Sequence, residues 1–259
     1  MTDSFLQIIR LSASFRGYQG DLSALEDVSF DVSRGEFVCL IGPSGCGKST
    51  LLRIVAGLLQ PTRGEVLLEG QSQHGPQKRV GLVFQQPTLL PWRTVQDNIA
   101  LPLEMEELPA HVIKARTQAL LALVGLSGFE KEYPIHLSGG MAQRTAIARA
   151  LAQNPEVLLL DEPFGALDAL TRERMAAELL RIWERDKRTV LMVTHSVEEA
   201  ALLADRVVVL SARPGHVVDI VNVTLPRPRS PALLTSPELQ QIAARLRTSL
   251  SNGGEKVPV

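Results

Sequence analysis

With 259 residues, 45% of them hydrophobic, the chain is long enough to bury a sizeable core as one large domain or as two lobes. A formal net charge of −1 and a pI near 6.5 exclude a global positive field that would gather nucleic acid or anionic lipid, while local patches stay open. The two cysteines, Cys39 and Cys46, are too few and too close together for a disulfide framework or a metal site, which fits a reducing compartment.

The N-terminus, Met1-Thr2-Asp3-Ser4, lacks a basic and apolar leader, and no apolar run approaches the roughly 18 residues of a membrane span. The expectation is a cytoplasmic protein that meets a membrane only through a partner. Alternation at Ile9, Leu11, Ala13 and Phe15, and again from Val28 to Val32, predicts two strands with one covered face each, joined by a loop from Arg16 to Leu22. Either Phe15 or Tyr18 can stack on an adenine ring, and the alternation equally allows Phe15 to be core.

Next comes an apolar run, Phe37-Val38-Cys39-Leu40-Ile41, that reads as a buried strand, and a helical run from Leu51 to Ala56 that Gly57 stops. Between them Gly42-Pro43-Ser44-Gly45-Cys46-Gly47-Lys48-Ser49-Thr50 meets every fixed position of the phosphate-binding pattern GxxxxGK[ST]. The glycines let successive backbone N–H groups converge on phosphate oxygens, and the helix that follows turns its positive end toward them. Lys48 reaches the β- and γ-phosphates of ATP, and the Ser49 hydroxyl is a ligand for Mg²⁺. A helix end alone is worth about 0.3–1 kcal/mol to an exposed anion, so convergent amides, lysine and metal must share the task. If Cys46 is exposed in this loop, it is open to alkylation that bound ATP would block.

Pro61 to Gly64 is a turn, Glu65 to Glu69 a strand and Gly70 to Gln77 a polar loop; Arg79 to Phe84 is a further strand that ends at Gln85. A glutamine at such a strand end can reach Mg²⁺ or the attacking water. Composition then turns helical, notably over Ala110 to Val124, with Pro91, Pro102 and Pro109 as punctuation, and residues 88–153 read as a helical insertion in an α/β core. Near its end Ser138 caps a helix that begins Gly139-Gly140-Met141, leaving its first amides free to meet an anion. Val157 to Leu160 is a continuous apolar run suited to a strand covered on both faces, and it ends in two carboxylates. Asp161 is placed to hold Mg²⁺, directly or through water, and Glu162 to polarise the water that attacks the γ-phosphate.

After Ala166-Leu167-Asp168 a helix over Ala169 to Arg185 carries a core stripe of Leu170, Met175, Leu179, Leu180, Ile182 and Trp183. A strand from Thr189 to Thr194 then ends at His195, which can donate to a γ-phosphate. Strands follow over Val207 to Leu210 and Val217 to Val223. Beyond Pro226-Arg227-Pro228-Arg229 lies a tail with a short helical pattern from Leu239 to Leu250 and a frayed, glycine-containing end, its arginines a solvated surface.

Taken together, the loop at Gly42 to Thr50, Gln85, Leu137-Ser138-Gly139-Gly140-Met141, the strand ending in Asp161-Glu162, Ala166-Leu167-Asp168 and His195 resemble, in identity and order, the ATP-binding cassette ATPases. The resemblance spans roughly residues 5–225. It implies an α/β fold: a phosphate-loop NTPase core of the RecA-like kind, an N-terminal antiparallel β subdomain, and a helical subdomain over about 88–153, all within an ATPase domain of residues 1–225, with 226–259 as a C-terminal tail. It implies ATP and Mg²⁺ as cofactors and a head-to-tail pair of identical chains with two ATP molecules between them. Each ATP would meet Lys48, Ser49, Gln85, Asp161, Glu162 and His195 of one chain and Ser138, Gly139 and Gly140 of the other. Met141 stands where the family usually has glutamine, but the serine and glycines that meet nucleotide are intact, so activity should survive.

Within that family, Leu89-Leu90-Pro91-Trp92-Arg93-Thr94-Val95, Asp161 to Asp168 and Ser211-Ala212-Arg213-Pro214-Gly215 look like the bacterial importers for nitrate, taurine and alkanesulfonates. That branch implies transmembrane permease subunits as partners, indirectly a periplasmic or surface solute-binding protein, no nucleic acid, and a place on the cytoplasmic face of the inner membrane. Trp92 is a candidate to receive a cytoplasmic helix of the permease, with a core position as the competing reading. A soluble cassette ATPase acting on nucleic acid or the ribosome is the alternative from another class, disfavoured by the near-neutral charge and the lack of coiled-coil arms or a second cassette. The motifs do not exclude an exporter subunit.

Overall fold

The chain opens with three strands, and past Val83 a run of helices separates two stretches in which strand and helix alternate. A computed structural model describes residues 4–17, 20–165 and 167–254. In chain order the elements are β1 (Ser4–Gly17), β2 (Gly20–Ser33), β3 (Phe37–Ile41), α1 (Lys48–Val55), β4 (Arg63–Leu68), β5 (Gln71–Ser72), β6 (Val80–Val83), α2 (Val95–Met105), α3 (Ala110–Leu123), α4 (Gly139–Leu151), β7 (Val157–Asp161), α5 (Ala169–Asp186), β8 (Thr189–Val193), α6 (Val197–Leu203), β9 (Arg206–Leu210), β10 (Val217–Asn222) and α7 (Pro237–Gly254). They fall into two units, one of residues 1–77 with 187–259 and one of residues 78–186. The fold is α/β, with an antiparallel sheet formed near the N-terminus and a mixed sheet around the phosphate loop.

In the first unit β1 lies between β2 and β4, antiparallel to both, with β5 beyond β4. The alternation in β1 changes phase within the strand. Ile8 pairs with Phe30 but Leu11 with Val28, and Arg10 has a φ of 43°, so an irregularity there lets Leu6 and Ile8 face the core before it, and Leu11 and Ala13 after it. Ile9 therefore leaves the face the pattern assigns to it and is half-buried. Phe15 is 41% exposed, which removes the core reading, while Tyr18 lies outside the described residues.

The mixed sheet of this unit places β3 between β8 and β9, parallel to both, and β10 antiparallel on β9. Every residue of β3 and β8 is buried, as a continuous apolar run in a parallel strand demands. α1 packs on β8, α6 on β3, and α7 on α6, β9 and β10.

The tail is part of this unit, contrary to the solvated surface expected for its arginines. Arg229 is 5% exposed and donates to the carbonyls of Leu202, Ala204, Val223 and Leu225. Arg227 donates to Leu203 O and pairs with Asp205 at 2.9 Å. Leu202, Leu203 and Ala204 close α6, whose last carbonyls have no partner within the helix, so a cation is the natural cap. Nor is the glycine-containing end frayed as far as it is described: α7 runs through Gly253, whose carbonyl accepts from Ala212 N at 2.9 Å.

In the second unit β6 and β7 pair in parallel, from Val80 opposite Val157 to Val83 opposite Leu160. Pro102 does not punctuate but lies inside α2, against expectation. A proline inside a helix costs about 3 kcal/mol. Val95, Ile99 and Leu103 are fully buried on the same helix, and each such burial contributes about 1.5–3 kcal/mol, so packing carries the helix past the defect. On α5 the stripe is buried as predicted from Met175 to Trp183, but Leu170 is 69% exposed and no part of that core. Among the described residues no helix is long and apolar enough to cross a membrane.

Candidate nucleotide-binding site

The loop from Gly42 to Gly47 leaves β3 and enters α1 at Lys48, with Ser49 and Thr50 half-buried in the helix's first turn. Lys48 is buried, and its ammonium donates to Gly42 O at 2.8 Å and Pro43 O at 2.9 Å. The charge is thus held against the first two carbonyls of the loop. Gly47 has a φ of 104°, and a Cβ there would stand 2.6 Å from Leu25 Cδ2 and 2.8 Å from Ala24 O, so no other residue fits. Ser44 and Gly45 form the exposed rim, and a Cβ added at Gly45 would project into open space. Among the described residues, open space lies over Gly45 while backbone and side chains crowd Gly42 and Gly47, the one-sided form that suits a phosphate-binding loop.

A second loop clamps this cradle from behind. Gly215 donates to Ala24 O and accepts from Glu26 N, both at 3.0 Å, and a Cβ on it would lie 2.1 Å from the carbonyl oxygen of Cys46. Gly215 therefore sets the path of the phosphate loop from almost the far end of the chain. Cys46 itself is buried, and that burial pushes its thiol pKa up, against the partial offset of Lys48. The side chain is turned into the packing beneath the loop, as a small residue filling a loop position would be, and the condition for alkylation, exposure, is not met. His195 lies two residues past the end of β8 and is exposed, and its neighbour Thr194 donates its backbone N–H to Leu40 O at 3.3 Å, one residue before the end of β3.

In the second unit Asp161 is the buried last residue of β7. Glu162 takes a left-handed φ of 47°, and the carbonyl of the same residue accepts from Gly165 N at 3.1 Å. Such a conformation is uncommon for a residue with a side chain and concentrates at functional sites. It turns the Glu162 carboxylate away from the strand, where Gln85 Nε2 donates to its Oε2 at 3.0 Å. The structure thus brings together Gln85 and Glu162, which lie far apart in sequence. Arg149 of α4 holds the segment after Gln85 through Pro87 O at 3.0 Å and Thr88 O at 3.1 Å, and burial pushes its pKa down.

Ser138 caps α4, its hydroxyl accepting from Met141 N at 3.3 Å, with Gly139 exposed and Gly140 buried in the first turn. Such a cap is worth about 1 kcal/mol. Asp168 caps α5 through Thr171 N at 3.0 Å, and the Thr171 hydroxyl together with that amide holds its carboxyl below the usual range, while Ala166 lies outside the described residues.

Ser49 carries a hydroxyl in one unit, and Gln85 and Asp161 an amide and a carboxylate oxygen in the other, donor types of the hard kind that suit Mg²⁺. Among the described residues no cluster of three His, Cys, Asp or Glu side chains that could hold a metal exists. Two contributors are not marked as site residues by the sequence. Gly215 enters there only as the end of the branch-like run Ser211-Ala212-Arg213-Pro214-Gly215, and Arg149 lies on a helix where any arginine reads as solvated.

Comparison with known proteins accords with this geometry. The family model described as ABC transporter matches residues 25–165. An uncharacterised ABC transporter ATP-binding protein of Methanocaldococcus jannaschii is 51% identical over 224 residues, 86% of this chain and 84% of the relative. The aliphatic sulfonates import ATP-binding protein of Bacillus thuringiensis subsp. konkukian is 44% identical over 249 residues, 96% of this chain and 97% of the relative. Among solved structures, an ATP-binding cassette dimer in a post-hydrolysis state with ADP and Pi has a TM-score of 0.76 at 32% identity, covering 85% of this chain and 100% of that one. A Clostridium perfringens protein that is part of the ABC transporter complex cbiONQ has a TM-score of 0.77 at 26% identity, covering 95% and 98%.

Proposed function

The chain belongs to the ABC transporter family as an ATP-hydrolysing, ATP-binding subunit, and from that premise we propose that it powers uptake of a small anionic solute, an aliphatic sulfonate, taurine or nitrate, through separate membrane subunits. The observation that carries the choice of solute is the 44% identity, across 96% of this chain, with a protein named for aliphatic sulfonate import. Trp92, 71% exposed and so excluded from the core, supports a contact with a permease helix. In the same unit α2 and α3 enclose a groove of about 420 Å³, with Ala100, Ile113 and Leu121 among its lining.

In this reading the amides of Gly42 to Gly47 and the Lys48 ammonium grip the β- and γ-phosphates, and Phe15 stacks on the adenine. Glu162, oriented by Gln85, polarises the attacking water, and His195 donates to the γ-phosphate. Ser49, Gln85 and Asp161 would hold Mg²⁺, which would supply charge neutralisation at the phosphates. A second copy of the chain supplies Ser138, Gly139 and Gly140, whose free helix-end amides cap the γ-phosphate from the opposite side. Closure then depends on the γ-phosphate, and hydrolysis releases it.

The solute is tested by uptake in cells lacking this chain. Uptake of labelled alkanesulfonate, taurine or nitrate should vanish and return with the intact gene but not with Glu162→Gln. Unchanged uptake of all three, with loss of another solute or of an export activity, would overturn the assignment.

A further inference from the structure

The geometry points to Thr194 and Glu199 as positioning residues for His195, joined in a buried clasp that fixes the main chain on both sides of the histidine. The Thr194 hydroxyl donates to Glu199 Oε2 and accepts from Ser196 N at 3.0 Å, so one side chain bridges the residue before His195 to the residue after it. Glu199 N returns a bond to Ser196 Oγ at 3.2 Å, which closes the ring. Thr194 and Glu199 are both buried whereas His195 between them is exposed, so the turn presents the imidazole outward on a rigid base.

The base is also tied to the phosphate loop. Thr194 N donates to Leu40 O at 3.3 Å, and Leu40 and Ile41 run straight into Gly42. A hydrogen bond to a carboxylate in a buried setting is about twice as strong as a neutral one. The clasp is thus built to hold a position rather than to decorate a surface. A weaker outer link continues from it: Ser196 Oγ donates to Glu198 Oε2 at 3.2 Å, and Glu198 pairs with Arg247 of α7. That pair is half-exposed and screened by solvent, so the inner clasp carries the restraint.

The inference rests on the reading of His195 as the γ-phosphate donor, and the experiment separates the two. Steady-state ATP hydrolysis by the full chain is measured for Thr194→Val, which keeps shape and removes the hydroxyl, and for Thr194→Ser, which keeps the hydroxyl. Each is made alone and with His195→Ala. Misplacing a reacting group by about 1 Å can cost up to about 100-fold. Thr194→Val should lower kcat about ten- to a hundredfold with KM within about twofold, Thr194→Ser should recover most of it, and Thr194→Val should add nothing once His195 is alanine.

Unchanged kcat in Thr194→Val, or the same fractional loss in both backgrounds, would overturn the clasp. Should Thr194→Val not fold, Glu199→Gln reads the contact from the other side. Its neutral acceptor should cost about threefold or more in kcat, again only where His195 is present, and no loss or a background-independent loss counts against the proposal. If His195→Ala alone turns over like the unmodified chain, the reading of His195 fails first, and with it the clasp's role.

Discussion

Glu162 combines a left-handed backbone, a place one residue past the buried Asp161 and a side-chain bond to Gln85. A positioned base, the part proposed for Glu162, contributes about 10²- to 10⁴-fold, so on that proposal Glu162→Gln should lose that factor in ATP turnover, read by phosphate release, while its affinity for ATP is kept. At the same scale the two thiols are internal. Burial pushes the Cys39 thiol well up, with Glu199 and Asp205 adding to it, and burial pushes Cys46 up as well. A raised pKa leaves less thiolate at neutral pH than a free cysteine has, and thiolate is the reactive form. Titration with a chromogenic disulfide at pH 7 should therefore show both cysteines slow in the folded chain and fast in denaturant. Rapid labelling of Cys46 in the folded chain would contradict the packing beneath the loop.

At the scale of elements, the phosphate loop depends on a glycine remote from it. Gly215→Ala forces a methyl toward the Cys46 carbonyl, an overpacking that costs about 1–3 kcal/mol. It should weaken ATP binding measurably in a fluorescent-nucleotide titration, although Gly215 is outside the motif; unchanged affinity would mean the clamp is slack. The tail makes a parallel case. Arg229→Met removes the donor from the carbonyls that close α6, and each buried acceptor left unsatisfied costs about 1–3 kcal/mol. The melting temperature should fall by several degrees, and Arg229→Lys should not rescue it, since an ammonium lacks the planar fork.

Legibility follows the same division. Where one local rule governs, the sequence suffices: Phe37–Ile41 is a strand because five apolar residues in a row have no exposed face, and Ser138 caps α4 because a hydroxyl meets its free amides. Where a distant partner decides, it does not. The phase change at Arg10 depends on pairing with β2, Pro102 is carried by packing, Leu170 lies at the exposed start of α5, and Arg227 and Arg229 are buried because α6 ends beside them. The candidate motifs are legible in the sequence, but Arg149, Thr194 and Glu199, which pack and bond around them, carry no pattern that separates them from ordinary helix and cap residues, and Gly215 shows only as the end of the Ser211 to Gly215 run.

At the scale of the molecule, the proposed function joins the phosphate loop of one copy to the Ser138 helix end of a second, head to tail, with a nucleotide between them. Light scattering on Glu162→Gln measures this most directly. With saturating Mg-ATP the mass should be that of two chains, and with ADP that of a single chain of 28.3 kDa. A single-chain mass in both, with nucleotide bound one to one, would contradict the account.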